Sequence, residues 1–254
     1  MANKVNKLQR DPATFNLRKI KNRQQTDGCP TRKYCIQLWG NEDLFCSIRD
    51  LTKFELIYKN DEFIYKRGDP ATSLYVIQSG AVKLEKKDES GINHVSGFYF
   101  SDDMIGLESV GHEQYQYNTT ALKETLVCEI RLHKLASLGS AALNIQTRIS
   151  TMLGRKLCEI DKHLYNTRHF HIEQRLLNFL KEICTKQLTQ TDDNLNLYEL
   201  PIMKTDIASY LGMRPESVSR ALLQLEGQGV VKDRLSRKKI VINKQKLLNG
   251  SVKP

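Results

Sequence analysis

Between about Phe54 and Arg131 the apolar residues come in short runs: "FIYKRGD", "SLYVIQSGAVKLEKK", "NHVSGFYF" and "TLVCEIRL". Gly68-Asp69, Ser79-Gly80, Ser90-Gly91 and Asp102-Asp103 punctuate them with turn-forming residues. Short β-like runs separated by such signals predict a sheet sandwich or barrel-like roll. Val76 and Ile77 before Ser79-Gly80, with Val82 and Leu84 after it, predict a hairpin at that turn. From Leu143 to Tyr165 the period becomes helical. Leu153, Leu157, Ile160 and Leu164 recur at spacings of 4, 3 and 4, which is an a/d seam. The other faces of that helix carry Arg155, Lys156, Glu159, Asp161 and Lys162. So narrow a seam suits a partner helix better than a wide core, and it predicts a homodimer joined through this helix.

The C-terminal third begins with "IEQRLLNFLKEIC", whose Leu176, Leu177, Leu180 and Ile183 form one apolar face. After a polar loop comes "MKTDIASYLGMRPESVSRALLQLEGQGVV". Thr205 or Asp206 suits the cap of a short helix containing Ile207, Ala208, Tyr210 and Leu211. Gly212 suits a sharp turn, and Pro215 the first turn of a second helix that ends at Gly227 or Gly229. Val218, Leu222, Leu223 and Leu225 are expected on the buried side of that helix. A short helix, a glycine turn and a second helix make a helix-turn-helix. Glu216, Ser219 and Arg220, at i, i+3 and i+4, project from one side. Arg can bond bidentately to guanine, Glu can accept from cytosine, and Ser can serve either role. Arg214 and Ser217 stand beside them and are assigned to DNA as well. The basic hairpin "VVKDRLSRKKIVI" follows, with Lys232, Arg234, Arg237, Lys238 and Lys239 expected to touch phosphates.

Charge agrees with that division. The formal net charge is +10, yet residues 49–167 carry 15 basic and 16 acidic side chains. Residues 1–48 carry 9 and 4, and residues 168–254 carry 15 and 9. Positive charge concentrated at the ends points to a phosphate-backbone partner, double-stranded DNA, for the C-terminal segment. No run of 18 apolar residues is present, so no membrane span is expected. The polar N-terminal stretch lacks the apolar core of a signal peptide, which implies a cytoplasmic protein with reduced thiols. Four segments are expected: an arm with a cysteine segment (1–48), a β domain (49–140), the seam helix (141–167) and a DNA-binding domain (168–254).

The chain has six cysteines. Cys29 lies in a Gly-Cys-Pro turn with Cys35 six residues on, Cys46 follows nearby, and Cys128 lies in "LVCEI". Cys158 and Cys184 fall in helices and are expected to be core or surface thiols. A redox enzyme using Cys29 or Cys35 is the competing class, but C-x5-C lacks the local geometry of C-x-x-C. No phosphate loop, nucleophile elbow or metallohydrolase motif is present, so an enzyme is not expected. His163, His169 and His171 do not converge on one helical face and are assigned to a polar surface between domains. Trp39 is expected to pack over the β domain.

Taken together, "RGDPATSLYVIQSGAVKL", the seam helix and "IASYLGMRPESVSRALLQLEGQGVV" resemble the Crp/Fnr family of bacterial transcription regulators, and the resemblance covers nearly all of the chain. It implies an α+β architecture: an N-terminal β-roll (a jelly roll of the cyclic-nucleotide-binding kind), a long dimerisation helix and a C-terminal winged helix-turn-helix. The Glu-x-x-Ser-Arg of the second helix is similar to the Fnr branch. That likeness implies palindromic TTGAT-like half-sites, read by Glu216, Ser219 and Arg220. RNA polymerase is the further partner such a regulator implies. The cyclic-nucleotide branch fits poorly: Gly106 is followed by Leu107, and "GHEQYQYNTTA" offers no cation for a buried phosphate. No cyclic nucleotide is expected.

In the Fnr branch an N-terminal cysteine cluster and one β-roll cysteine hold a [4Fe–4S] cluster that senses oxygen. Cys29, Cys35 and Cys128 match three of those positions, while Thr26 stands where the family has another cysteine. Four thiolates normally hold such a cluster, so Cys46 or Asp27 is the substitute to consider. The alternative is a regulator answering to haem, to another ligand or to none. Ile160 stands where an oxygen-sensing member of the family has an acid, so this seam can form a dimer without a signal.

Overall fold

The structure, a computed structural model, describes residues 55–135, 141–188, 197–233 and 239–249. Eight strands open the described chain: β1 (Glu55–Tyr58), β2 (Phe63–Tyr65), β3 (Ser73–Ser79), β4 (Ala81–Lys87), β5 (Asn93–Phe100), β6 (Met104–Ile105), β7 (Asn118–Ala121) and β8 (Thr125–Arg131). They form two antiparallel four-stranded sheets, ordered β1-β8-β3-β6 and β2-β7-β4-β5. Tyr65, Ile77, Val82, Leu84, Ile105, Ala121 and Val127 fill the space between them. The result is the expected β-roll.

The hairpin expected at Ser79-Gly80 does not form: β3 and β4 belong to different sheets. The chain crosses between sheets at Gly80, whose φ of 115° favours glycine. A Cβ there would lie 2.4 Å from Thr125 Oγ1, so the corner demands glycine twice over. β3 is buried on both faces, which explains its unbroken apolar run. Tyr75 and Ile77 face the roll's interior, while Leu74 and Val76 meet the next helix.

After α1 (Leu132–Leu135), the long helix α2 runs Ala141–His169. Ile145, Ile149 and Met152 pack against Leu74, Val76, Met104 and Ile130 of the roll. The seam lies on a different face. Leu157, Ile160 and Leu164 are 68%, 48% and 45% exposed, with Leu153 half-buried. No helix among the described residues is long and apolar enough to cross a membrane.

The C-terminal part contains α3 (Ile172–Leu188), β9 (Leu197–Leu200), α4 (Lys204–Leu211), α5 (Pro215–Gly227), β10 (Val231–Asp233), β11 (Ile240–Asn243) and α6 (Lys244–Asn249). Leu176, Leu177, Leu180 and Ile183 of α3 are buried against Ile207, Leu211, Val218, Leu222 and Leu225. The strands form one sheet in the order β10-β11-β9, the wing of a winged helix-turn-helix. Its core continues into the roll through Ala81, Val95, Phe98 and Phe100.

Candidate nucleic-acid interface

The turn between α4 and α5 is built from its residues outward. Gly212 takes φ 60°, and the Met213 amide donates to the Ala208 carbonyl at 2.8 Å. The Arg175 guanidinium of α3 donates to the Leu211 carbonyl and so caps the end of α4. Arg214 then holds an extended backbone, and Pro215 starts α5 where its missing N–H costs nothing.

Helical spacing sorts the side chains of α5. Val218, Ala221, Leu222 and Leu225 are buried. Glu216 and Arg220 are exposed on the opposite face, Ser217 and Ser219 are half-buried at its borders, and Arg214 is exposed at the helix start. Among the described residues no ion pair joins Glu216 to Arg220, so both keep their polar groups for solvent or a ligand. Leu223 departs from expectation: it is 51% exposed rather than buried. It stands one residue past Leu222, a rotation of about 100°, which carries it out of the core. On the wing, Lys232 is exposed and Lys239 pairs with Glu199 at 2.6 Å. Lys238, Arg234 and Arg237 lie outside the described residues.

The helix before the turn faces the other way. Neither Thr205 nor Asp206 caps α4; the N-cap is Met203, with no side-chain hydrogen bond. Asp206 instead takes Lys83 of β4, whose ammonium lies 3.1 Å from Asp206 Oδ1 and 3.0 Å from Glu85 Oε2. Burial pushes the Asp206 carboxyl up, and the neighbouring Lys83 only partly offsets it. One ammonium thus serves two carboxylates. Burial acts to lower the Lys83 pKa, but Asp206 and Glu85 outweigh it and raise it. Three residues on, the Ser209 hydroxyl accepts the Val95 amide at 2.9 Å and donates to the Asn93 carbonyl at 3.3 Å. Since β5 is an edge strand, this hydroxyl covers backbone groups that would otherwise stay open. Tyr210 completes the junction, with ring centroids 5.4 Å from Phe98, 5.4 Å from Phe179 and 4.4 Å from His163. Sequence reading missed this clasp because Lys83 and Asp206 are 123 positions apart.

Of the cysteines assigned to a cluster, Cys128 lies among the described residues; Cys29, Cys35 and Cys46 lie outside them, as do Thr26, Asp27 and Trp39. Cys128 sits mid-strand in β8 between Glu55 of β1 and Val76 of β3, half-buried, and its sulfur receives the Gln78 amide. It packs beside Leu74, Val76 and Ile145, in the layer between the roll and α2. Cys184 is buried, which pushes its thiol up to about 11, while Cys158 is exposed. The roll's interior is closed by tyrosines: Tyr65 stacks on Tyr115 at 3.9 Å and on Tyr75 at 5.8 Å. Tyr65 donates to Glu108 at 2.7 Å, and Ser73 to Glu129 at 2.6 Å.

Comparison with known proteins finds a matching domain family for each part. Residues 55–141 match the cyclic nucleotide-binding domain, and residues 174–249 match the Crp-like helix-turn-helix domain. The chain is 23% identical over 203 residues to the transcriptional activator protein anr of Pseudomonas aeruginosa, covering 80% of this chain and 83% of that protein. It is also 23% identical to the fumarate and nitrate reduction regulatory protein of Salmonella typhimurium, covering 80% and 81%. Among solved structures, FixK2 from Bradyrhizobium japonicum superposes with a TM-score of 0.64 at 27% identity, covering 79% of this chain and 98% of that one. The anr and fumarate and nitrate reduction relatives are named as regulators, not enzymes.

Proposed function

Because the chain belongs to the Crp/Fnr family and is a DNA-binding transcription regulator of that type, we propose that it binds inverted TTGAT-like half-sites as a cytoplasmic homodimer and answers to oxygen or redox state. The observation that carries the DNA reading is the outward face of α5, where Glu216 and Arg220 stand free on a helix whose other side is locked into the core. Ser219 and Ser217 border that face, with Arg214 and Lys238 positioning the protein on phosphates. RNA polymerase is the second macromolecular partner of this reading.

The dimer reading rests on Leu157, Ile160 and Leu164, three exposed apolar residues in register on α2. A helix of 29 residues that turns such a stripe to water has a partner face to cover. Ile160→Asp places a carboxylate beside its own copy at the two-fold axis, where burial and like charge both oppose association. Sedimentation of this variant gives monomer where the parent gives dimer. A variant that stays dimeric rejects the seam.

For the redox reading, Cys29, Cys35 and Cys128, with Cys46 or Asp27 as the fourth group, would hold a [4Fe–4S] cluster. Cys128 fits that use: it is half-buried, sits on β8 paired on both sides by β1 and β3, and borders α2. When bound, the cluster would supply an oxygen-sensitive tie between the N-terminal segment and β8. The chain's own part is mechanical. Cys128 shares a packed layer with Ile145, so tension at β8 bears on the helix that carries the seam. Residues 55–141 match the cyclic nucleotide-binding domain, but Glu108 and Glu129 bring negative charge to a roll filled by tyrosines, which disfavours a buried phosphate. Anaerobic reconstitution followed by iron and sulfide analysis tests the redox reading. Brown protein that loses its colour in Cys128→Ser supports it, and a colourless parent with equal DNA binding in air and under argon rejects it. The second reading, a constitutive dimer, is favoured by the uninterrupted apolar seam at Ile160.

A further inference from the structure

We infer that Leu223 reads the C5-methyl group of a thymine in the major groove, one base step beyond the pair contacted by Arg220; this rests on the proposed DNA-reading role of α5. Leu223 is the one exposed large apolar side chain among the described residues of that helix. Scattered exposed leucines are common on protein surfaces and need no purpose. This one stands three residues from Arg220 and seven from Glu216, so helical geometry sets all three along one face. A leucine on a face that meets phosphates would gain nothing there, where Lys or Arg belongs. Against base edges it finds one apolar partner, the thymine methyl.

The register follows from simple dimensions. Three residues of helix advance about 4.5 Å, against about 3.4 Å per base step. A leucine one turn past the arginine therefore reaches the neighbouring pair, not the same one. Its two methyl groups are fixed to a helix whose adjacent residues, Ala221, Leu222 and Leu225, are buried, so docking orders little beyond the side chain's own rotamers. Specificity would then have two chemically distinct parts. Arg220 and Glu216 select by hydrogen bonds, and Leu223 selects by a single methyl contact.

Full-length protein is titrated by fluorescence anisotropy onto a duplex with two inverted TTGAT half-sites, and onto a scrambled duplex of the same composition. Each thymine on either strand is then replaced in turn by deoxyuridine, which keeps every hydrogen-bonding group and lacks only the methyl. The parent is expected to lose about threefold to fivefold in affinity at one thymine per half-site, the worth of one buried methyl group. Leu223→Ala binds the thymine and uracil forms of that position equally. Arg220→Ala loses preference at a guanine–cytosine pair and keeps the methyl sensitivity. A parent that prefers the half-sites over the scramble yet ignores every uracil overturns the leucine assignment and leaves the DNA reading standing. The same holds if Leu223→Ala keeps the parent's discrimination. A parent with no preference over the scramble overturns the proposed half-site reading by α5, and the leucine assignment with it.

Discussion

Helices α4 and α5 belong to one motif, are joined by a short turn, and use their polar residues in opposite ways. In α4, Asp206, Ser209 and Tyr210 are committed to the β-roll through Lys83, the edge of β5 and the aromatic group around Phe98. In α5, Glu216 and Arg220 are left free and point away from the core. The difference teaches a division of labour: one helix fixes where the motif sits against the β-roll, and the other keeps its polar face for the DNA contact proposed above. Held this way, α4 ties the orientation of the whole motif to the β-roll. The clasp uses three kinds of bond, a charge pair, a captured strand edge and ring packing, which makes it separable by mutation.

The largest effect is expected at the aromatic part. Phe98→Ala removes a buried ring from Phe179 and Tyr210 and costs about 3–5 kcal/mol in stability. Chemical denaturation measures that loss, and the base preference of the surviving folded fraction should match the parent's. Arg220→Ala is the converse. It costs about 1–3 kcal/mol in binding to a guanine-containing half-site and relaxes specificity there, with the unfolding midpoint unchanged. If both variants altered stability and base preference together, the division between the helices would collapse.

Ser209→Ala has a smaller effect, on the order of 1 kcal/mol, because the Val95 amide loses its acceptor at a partly exposed edge. Amide hydrogen exchange should quicken at β5 and α4 and stay unchanged in α5. The smallest effect is a pH dependence at His163, which packs on Tyr210. Burial lowers its pKa, Arg175 and Lys156 add to that, and Glu182 and the Tyr210 backbone oppose it. A base with a depressed folded pKa gives stability above its ordinary value of 6.5, lost as pH falls through the lower folded value. Acidification below about 6.5 should therefore loosen the α2–α4 contact first, and His163→Gln should flatten that slope.

Much of the reading half was legible from the chain because its signals are local. The α3 face, the Gly212 turn and the Pro215 start each depend on residues within a turn or two, where periodicity and backbone preference decide. The exposure of Leu223 was misread as burial: three leucines in four positions hid that Leu223 leaves the face Leu222 and Leu225 share. The holding half was not legible. Asp206 fits a cap in the sequence, and only a lysine 123 positions away draws it elsewhere. Val76 and Leu84 fit a hairpin, and only the second sheet and the tight corner at Gly80 against Thr125 assign the strands to separate layers. Local pattern gives way where tertiary partners compete for the same residue.

The most direct measurement is binding-site selection from a random duplex pool, performed in parallel with the parent, Arg220→Ala and Asp206→Ala. The parent is expected to recover an inverted repeat, Arg220→Ala a repeat with one guanine–cytosine position relaxed, and Asp206→Ala the parent's bases with weaker binding. An Arg220→Ala variant that selects the parent's sequence, or an Asp206→Ala variant whose preferred bases change, would contradict this division of labour.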